Sequence, residues 1–267
     1  MNPRISVIMG IYNFNRPKLL NQAIRSILEQ TFSDFELIIC DDGSTDGTWE
    51  LLNQVAVTDE RIVLLRNPVN KGLGYSLNQC LRFAKGEYIA RMDADDISLP
   101  LRLARQIDFL EKHQEYALVG SWAELFENES VWGIRKYPEK PGKKDLLFGP
   151  PFIHPTVLMR ADVLKKLNGY RVCKETLRAE DYDLWMRMYA KGYKGYNLQE
   201  VLYRYYEGRE SYKRRSYKFR FDEAKVRYEG FKRVGLLPYG WLYVIKPLIV
   251  GLIPQRLLRY LRREKLD

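Results

Sequence analysis

Four short apolar runs, each closed by polar residues and separated by stretches of helical spacing, constrain this chain more than any other feature. Ile5 to Ile11, Phe35 to Cys40, Arg61 to Arg66 and Glu87 to Met92 are short, rich in aliphatic residues and bounded by turn-forming residues, so each reads as a buried strand. Between them, Pro17 to Gln30 places Leu20, Ile24, Ile27 and Leu28 on one helical face. Asp46 stands where a helix cap belongs, before a helix through about Val55, and Leu73 to Ala84 is a helix opened by Asn70-Lys71-Gly72. Strand and helix alternating four times with short connections predict an α/β fold: a parallel sheet with helices on both faces. Ligands bind such sheets beyond the carboxyl ends of the strands.

Three of those ends are polar: Tyr12-Asn13, Asp41-Asp42 and Asp93-Ala94-Asp95-Asp96. They are expected to meet in one crevice. Carboxylates at the end of a buried strand repel one another, and desolvation adds to the cost. A divalent cation relieves both, and Mg²⁺ or Mn²⁺ prefers oxygen ligands shared with phosphates. Asp93-Ala94-Asp95 alone is a short pattern that also suits a solvated loop or a helix cap. Its company at the other strand ends points instead to a metal–diphosphate site. Asp41 and Asp42 suit a base N–H or ribose hydroxyls, whereas Asp46 suits the cap.

Beyond Pro100 the pattern predicts a helix over Leu101 to Lys112 and two strands, Ala117 to Phe126 and Val131 to Tyr137, paired as a hairpin. Thr156 to Met159 reads as a strand, and Asp162 to Leu167 as a short helix closed by Asn168-Gly169. Asp181 to Ala190 reads as an amphipathic helix ended by Gly192. Acids in its first turn, Glu180, Asp181 and Asp183, complement the helix dipole. The Glu180-Asp181 pair, flanked by Arg178 and Trp185, is also well placed to supply a general base. Arg178, Glu180, Trp185 and His154 are candidate contacts to an acceptor or a diphosphate. His154, held between Pro151 and Pro155, suits a structural hydrogen bond equally well. No Walker loop, nucleophile elbow or Cys–His pairing is present, which removes support for acyl transfer.

Together these segments resemble the family 2 glycosyltransferases, which have the GT-A fold, and most closely those of bacterial capsular or other surface polysaccharide synthesis. The resemblance rests on Ser6 to Asn13, Cys40 to Gly47, Asn70-Lys71-Gly72, Met92 to Asp96 and Glu180-Asp181, in that order, over roughly residues 4 to 206. It implies a nucleotide-diphosphate sugar donor, with uridine the default base, and an inverting mechanism. It implies that Gly10, Tyr12, Asn13, Asp41, Asp42, Asn70 and Gly72 hold the nucleotide sugar. Asp93 and Asp95 would form the Asp-x-Asp motif that holds Mn²⁺ or Mg²⁺, with Asp95 on the ion, and Asp181 would be the base. The acceptor would be a glycan or a polyprenyl-linked glycan.

The net charge of +10 is confined to one end. Residues 201–267 carry 17 basic and 7 acidic side chains, whereas residues 1–200 are balanced. The boundary divides residues 1–206, a transferase domain, from residues 207–267, a basic amphipathic helical extension. Residues 236–254 are apolar but include Lys246 and three prolines. A spanning helix needs about 20 apolar residues. An interfacial position on an anionic membrane fits better. Three scattered cysteines and no visible secretory leader favour a cytoplasmic protein, peripheral on the inner face of the plasma membrane. Two other classes compete: a sugar nucleotidyltransferase, and a nucleic-acid-binding protein using the basic, tyrosine-rich end. The apolar 236–254 stretch suits lipid better than nucleic acid, so no nucleic-acid partner is expected.

Overall fold

The four predicted strands form side by side as β1 (Ile5–Ile11), β2 (Phe35–Asp41), β3 (Ile62–Arg66) and β4 (Tyr88–Arg91), all parallel, in the order β3-β2-β1-β4. The structure is a computed structural model that describes residues 2–14, 16–128, 130–208 and 217–252. Three helices, α1 (Pro17–Leu28), α2 (Thr48–Ala56) and α3 (Leu73–Phe83), make the connections. Pro17 opens α1, where its missing N–H is no loss. The cap residue of α2 is Gly47 and not the expected Asp46, whose carboxylate sits one residue earlier and accepts the backbone N–H of Thr48 (3.1 Å).

Alternation along β1 divides the core into two layers. Val7, Met9 and Ile11 pack with Leu20, Ile24 and Ile27 of α1, and with Leu103 and Ile107 of α4 (Arg102–Lys112). Ile8 faces the other way, with Leu77 and Cys80 of α3. Strand order reverses direction of growth between β1 and β4, and that switch opens a crevice beyond their carboxyl ends.

The sheet continues through β5 (Ile97–Ser98), β6 (Tyr116–Glu127), β7 (Ser130–Arg135), β8 (Leu158–Arg160) and β9 (Lys194–Tyr206) in the order β4-β8-β6-β9-β5, with β7 paired to β6. The β6–β7 hairpin is the predicted one. The 13-residue β9, parallel to β6, is not legible as an apolar run. Glu200 and Arg204 interrupt it, and register shifts against β6 break its two-residue period. The short helix α5 (Ala161–Lys166) ends through Asn168 and Gly169, both at positive φ, with the Gly169 N–H donating to the Leu164 carbonyl.

Helix α6 (Glu180–Ala190) buries Tyr182, Trp185, Met186 and Tyr189. Against it packs α7 (Lys218–Val234), whose Val226, Phe231 and Val234 join the same core cluster. A Cβ on Gly230 would lie 2.0 Å from the Met186 sulfur, so glycine permits this close approach. Helix α8 (Leu237–Leu252) packs back on α7 and contains Pro247. Among the described residues no helix is long and apolar enough to cross a membrane. The basic residues Arg209, Lys213, Arg214 and Arg215, and the stretch from Arg256 to Lys265, lie outside the described residues.

Candidate active site

The ends of β1, β2 and β4 meet around a cavity of about 710 Å³. Gly10, Tyr12 and Asn13 come from β1 and the loop after it. A Cβ on Gly10 would lie 2.8 Å from Leu73 Cδ1, so the start of α3 approaches the strand only because residue 10 is glycine. Asn13 locks two loops together: its N–H donates to Ser44 Oγ, and its side-chain oxygen accepts the Thr45 N–H, both at 2.9 Å.

Asp42 reaches across to the loop before α3. Its carboxylate accepts the N–H groups of Lys71 (2.9 Å) and Gly72 (2.7 Å) and the Asn67 amide (2.7 Å). Gly72 has φ +89°, which a side chain would strain. Asn70, Gly72 and Asp42 all line the cavity. Asp41 does not. It is fully buried, pairs with Arg66 (3.2 Å) and accepts the Ser44 N–H. Successive strand residues point to opposite faces, so only one of the Asp41-Asp42 pair can face the crevice. Of the two residues expected to touch a nucleoside, only Asp42 lines the cavity.

From the end of β4, Asp93 and Asp95 line the same cavity. One carboxylate oxygen from each of Asp93, Asp95 and Asp96 lies within 4.8 Å of the others. Asp96 is buried beneath and accepts the Tyr206 N–H (2.7 Å). Burial, then the charge of Asp93, pushes the Asp95 carboxyl up to about 7. Burial and Asp95 hold Asp96 well above the ordinary carboxylate range. A cluster that resists full ionisation and offers only oxygen ligands fits a hard divalent cation.

A buried cation, Arg91, sits under this cluster. It is 4% exposed and ion-paired with Asp93. Its charge also lowers the carboxyl pKa values of Asp95, Glu180 and Asp181 against the effect of burial. Residue-type patterning passes over it. The signal was an arginine inside the otherwise apolar run Tyr88 to Met92.

The start of α6 faces two ways. Glu180 lines the first cavity. Asp181 lines a second, of about 530 Å³, together with Phe148, Tyr205, Glu207 and Glu223. Leu177, Arg178 and Phe219 line both, so the two cavities adjoin there. Arg178, at φ +74°, stacks its guanidinium 5.2 Å from the Phe219 ring centre. Phe219 belongs to α7, and nothing in the sequence patterning assigns it to the site. Burial, then the Asp181 charge, raises Glu180 to about 7. Burial raises Asp181 to about 6, while the Tyr182 N–H, donating to its carboxylate at 2.7 Å, and the charge of Arg91 oppose the rise.

His154 and Trp185 line neither cavity. His154 Nε2 lies 2.8 Å from the Tyr170 hydroxyl. Burial, then the charge of Arg91, drops its pKa well below the usual range, so the ring is neutral. Of the two roles open to His154, the structural hydrogen bond is the one observed. Trp185 is fully buried with its ring edge against Phe152. Tyr182, Trp185, Met186 and Tyr189 recur at helical spacing on the inner face of α6, which places Trp185 in the core and not beside an acceptor.

Residues 6–167 match the model of the glycosyl transferase family 2. The chain belongs to this family. It is 43% identical over 264 residues to a putative glycosyltransferase, EpsE, of Bacillus subtilis, covering 98% of this chain and 94% of that protein. It is 31% identical over 273 residues to an Escherichia coli UDP-Gal:alpha-D-GlcNAc-diphosphoundecaprenol beta-1,3-galactosyltransferase, covering 98% and 96%. Among solved structures, Staphylococcus aureus TarS in complex with UDP-GlcNAc superposes with a TM-score of 0.69 at 19% identity, over 89% of this chain and 72% of that one. A Pyrobaculum calidifontis mannosyltransferase in complex with GDP-Man and Mn²⁺ superposes with a TM-score of 0.64 at 19% identity, over 97% and 79%. At such identities these likenesses establish the GT-A fold alone. Family membership decides among the three readings of the sequence in favour of the glycosyltransferase, over a nucleotidyltransferase or a nucleic-acid-binding protein.

Proposed function

We propose that this family 2 glycosyltransferase transfers a sugar, with inversion, from a uridine-diphosphate donor to a hydroxyl of a lipid-linked glycan in surface polysaccharide synthesis. The observation that carries the reading is the pair of adjoining cavities: one has the strand-end carboxylates and Glu180, the other Asp181, with Leu177, Arg178 and Phe219 lining both. The UDP-sugar and diphosphoundecaprenol substrates in the name of the galactosyltransferase relative support the choice of donor and acceptor.

In this reading the nucleoside lies against Gly10, Tyr12 and Asn13. Asp42 fixes the 70–72 loop and turns its remaining lone pairs to the ribose. Asp41 acts indirectly, through the turn it holds at Ser44. Asp95, with Asp93 beside it, would hold Mn²⁺ or Mg²⁺. When bound, the cation offsets the charge that develops on the departing diphosphate. Asp181 accepts the proton of the acceptor hydroxyl in the second cavity. That oxygen forms its bond to the anomeric carbon from the face opposite the leaving group, whose bond to carbon breaks with both electrons going to the diphosphate. With a pKa of about 6, Asp181 is mostly ionised at neutral pH, as a base must be.

Residues 1–206 then serve as the transferase domain, and residues 207–267 as an extension that attaches peripherally to the inner face of the plasma membrane. The charge surplus of residues 201–267 supports that placement, since each basic residue near an anionic surface contributes about 1 kcal/mol. The test is a panel of sugar nucleotides with Mn²⁺ and a membrane extract carrying lipid-linked glycans. Release of a nucleoside diphosphate, coupled to glycan extension, is expected. Release of pyrophosphate, or no response to any sugar nucleotide, would overturn the reading.

A further inference from the structure

Helix α8 has two apolar faces, and among the described residues protein covers only one. Gly240, Val244 and Pro247 are buried, with Gly240 packed close to Phe231 and Leu147. On the other side, Leu242, Ile245, Ile249 and Leu252 follow one another at steps of three or four residues, which sets them in a single stripe. Leu242 and Leu252 are 75% and 73% exposed, and Ile245, Ile249 and Trp241 are exposed with them. A contiguous apolar stripe on an outer surface marks a binding face.

Helix α8 also meets the rim of the second cavity, through Tyr243 and Lys246. Phe148, which lines that cavity, is itself largely exposed. Its ring lies 5.3 Å from that of Tyr243 on α8, and its carbonyl accepts the Lys246 ammonium at 3.3 Å. Arg227 of α7 ties the same corner together, donating to the carbonyls of Leu147 and Tyr243.

Two magnitudes decide what covers the stripe. The 16 described residues of α8 rise about 24 Å, short of the ~30 Å hydrocarbon core of a bilayer, and Lys246 and Pro247 interrupt their apolar run. The helix therefore suits a position parallel to the membrane plane and not across it. The surrounding chain is cationic: residues 201–267 carry 17 basic and 7 acidic side chains, and Lys218, Lys225, Lys232 and Arg233 of α7 are exposed. An apolar stripe within a basic segment matches an anionic lipid surface better than a second, equally cationic copy of this chain.

We propose that the outer face of α8 lies in the interface of an anionic bilayer and sets Phe148 at the lipid end of the second cavity. A lipid-linked acceptor then presents its glycan to Asp181 while its hydrocarbon chain stays in the leaflet. This inference deepens the transferase reading and rests on it for the identity of the acceptor, but the contact with lipid is measured separately.

The test uses the full chain, wild type and the double variant Leu242→Ser/Ile249→Ser, with vesicles of phosphatidylcholine alone or mixed with phosphatidylglycerol. Wild type is expected to bind the mixed vesicles, and the double variant about tenfold or more weakly, with an unchanged melting temperature. Transfer to a long-chain lipid-linked acceptor in vesicles falls by a similar factor, while transfer to a short-chain, water-soluble analogue is unchanged. If the double variant unfolds, Leu252→Ser near the end of α8 gives the same comparison. Equal vesicle binding by wild type and variant overturns the proposal. So does a wild-type dimer that the substitutions dissociate without any lipid binding. Vesicle binding is read without turnover, so an error in the donor or acceptor chemistry would leave this result standing and be visible as such.

Discussion

Glu180 and Asp181 are neighbours in sequence yet face different cavities, Glu180 the one with Asp42 and Asp95, Asp181 the one bounded by α7. One residue along an α-helix is a turn of about 100°, so the first turn of α6 serves both cavities where they adjoin at Leu177, Arg178 and Phe219. The division predicts two distinct phenotypes. Asp181→Asn lowers kcat by about 10²–10⁴, the range of a lost general base, and leaves the donor Kd unchanged. Glu180→Gln changes the donor Kd and leaves the KM for acceptor near wild type. Calorimetry with the sugar nucleotide and initial rates at varied acceptor separate the two. Parallel loss of donor binding and turnover in Asp181→Asn would remove it from the role of base.

The same two carboxyls link activity and stability to pH with opposite signs. Burial raises Asp181 to about 6 and Glu180 to about 7. A base acts when ionised, so the transfer rate rises through about pH 6 and levels above it. Stability runs the other way. Both groups hold protons more tightly folded than unfolded, so their contribution is full below the unfolded values near ~4 and is lost as pH rises through 6 to 7. Glu180→Gln is therefore expected to raise the melting temperature at pH 8 and to leave it unchanged at pH 4. Thermal scans at the two pH values check this, and a gain of equal size at both would contradict it.

Cation binding follows from the geometry of Asp93, Asp95 and Asp96. Protons compete with an ion for Asp95, whose carboxyl titrates at about 7. Mn²⁺ is expected to raise the melting temperature more at pH 8 than at pH 5, in proportion to log concentration once the site saturates. Chelation removes the gain, and Asp95→Asn abolishes it. An increment that persists in Asp95→Asn would place the ion elsewhere.

How far the sequence discloses this architecture depends on how local each signal is. β1 to β4 and their helices are legible because each is a continuous apolar run or a one-faced stripe. β9 is not, because its period is broken by shifts against β6 and its apolar run is interrupted by Glu200 and Arg204. Tyr12, Asp42, Asp93 and Glu180, which line the first cavity, can be read as candidate site residues from their positions at element ends. The exclusion of Asp41 and Trp185 follows from side-chain direction, which residue type does not encode. Phe219 enters the site only because Gly230 lets α7 close against Met186, a contact between segments 44 residues apart in the chain.

Gly43 tests how tightly the loops around the crevice are set. It has φ +73°, and a Cβ there would lie 2.8 Å from the backbone of Val69. Gly43→Ala combines a left-handed penalty of about 1 kcal/mol with a clash against main chain that cannot rotate away. The loop at Val69 and Asn70 must shift, and Asn70 lines the first cavity. Lower melting temperature together with a higher donor KM is the expected result. Loss of stability with an unaltered KM would uncouple this loop from donor binding.

Arg91 supplies the most demanding test, because it is a buried charge whose value lies entirely in what surrounds it. It pairs with Asp93 and moderates Asp95, Glu180 and Asp181. Arg91→Met keeps most of the side-chain volume but leaves those acids without their cation. Breaking a buried pair from one side costs about 3–5 kcal/mol. The remaining carboxyls then hold protons to higher pH, so the acidic limb of the rate profile moves upward from about pH 6. Arg91→Lys restores a positive charge without the planar fork, and it is expected to return the limb toward the wild-type position while recovering only part of the stability. A purely structural arginine would give low stability in both variants with the limb unmoved. The pH profile, not the melting temperature, is therefore the measurement that assigns Arg91 to the chemistry of the site.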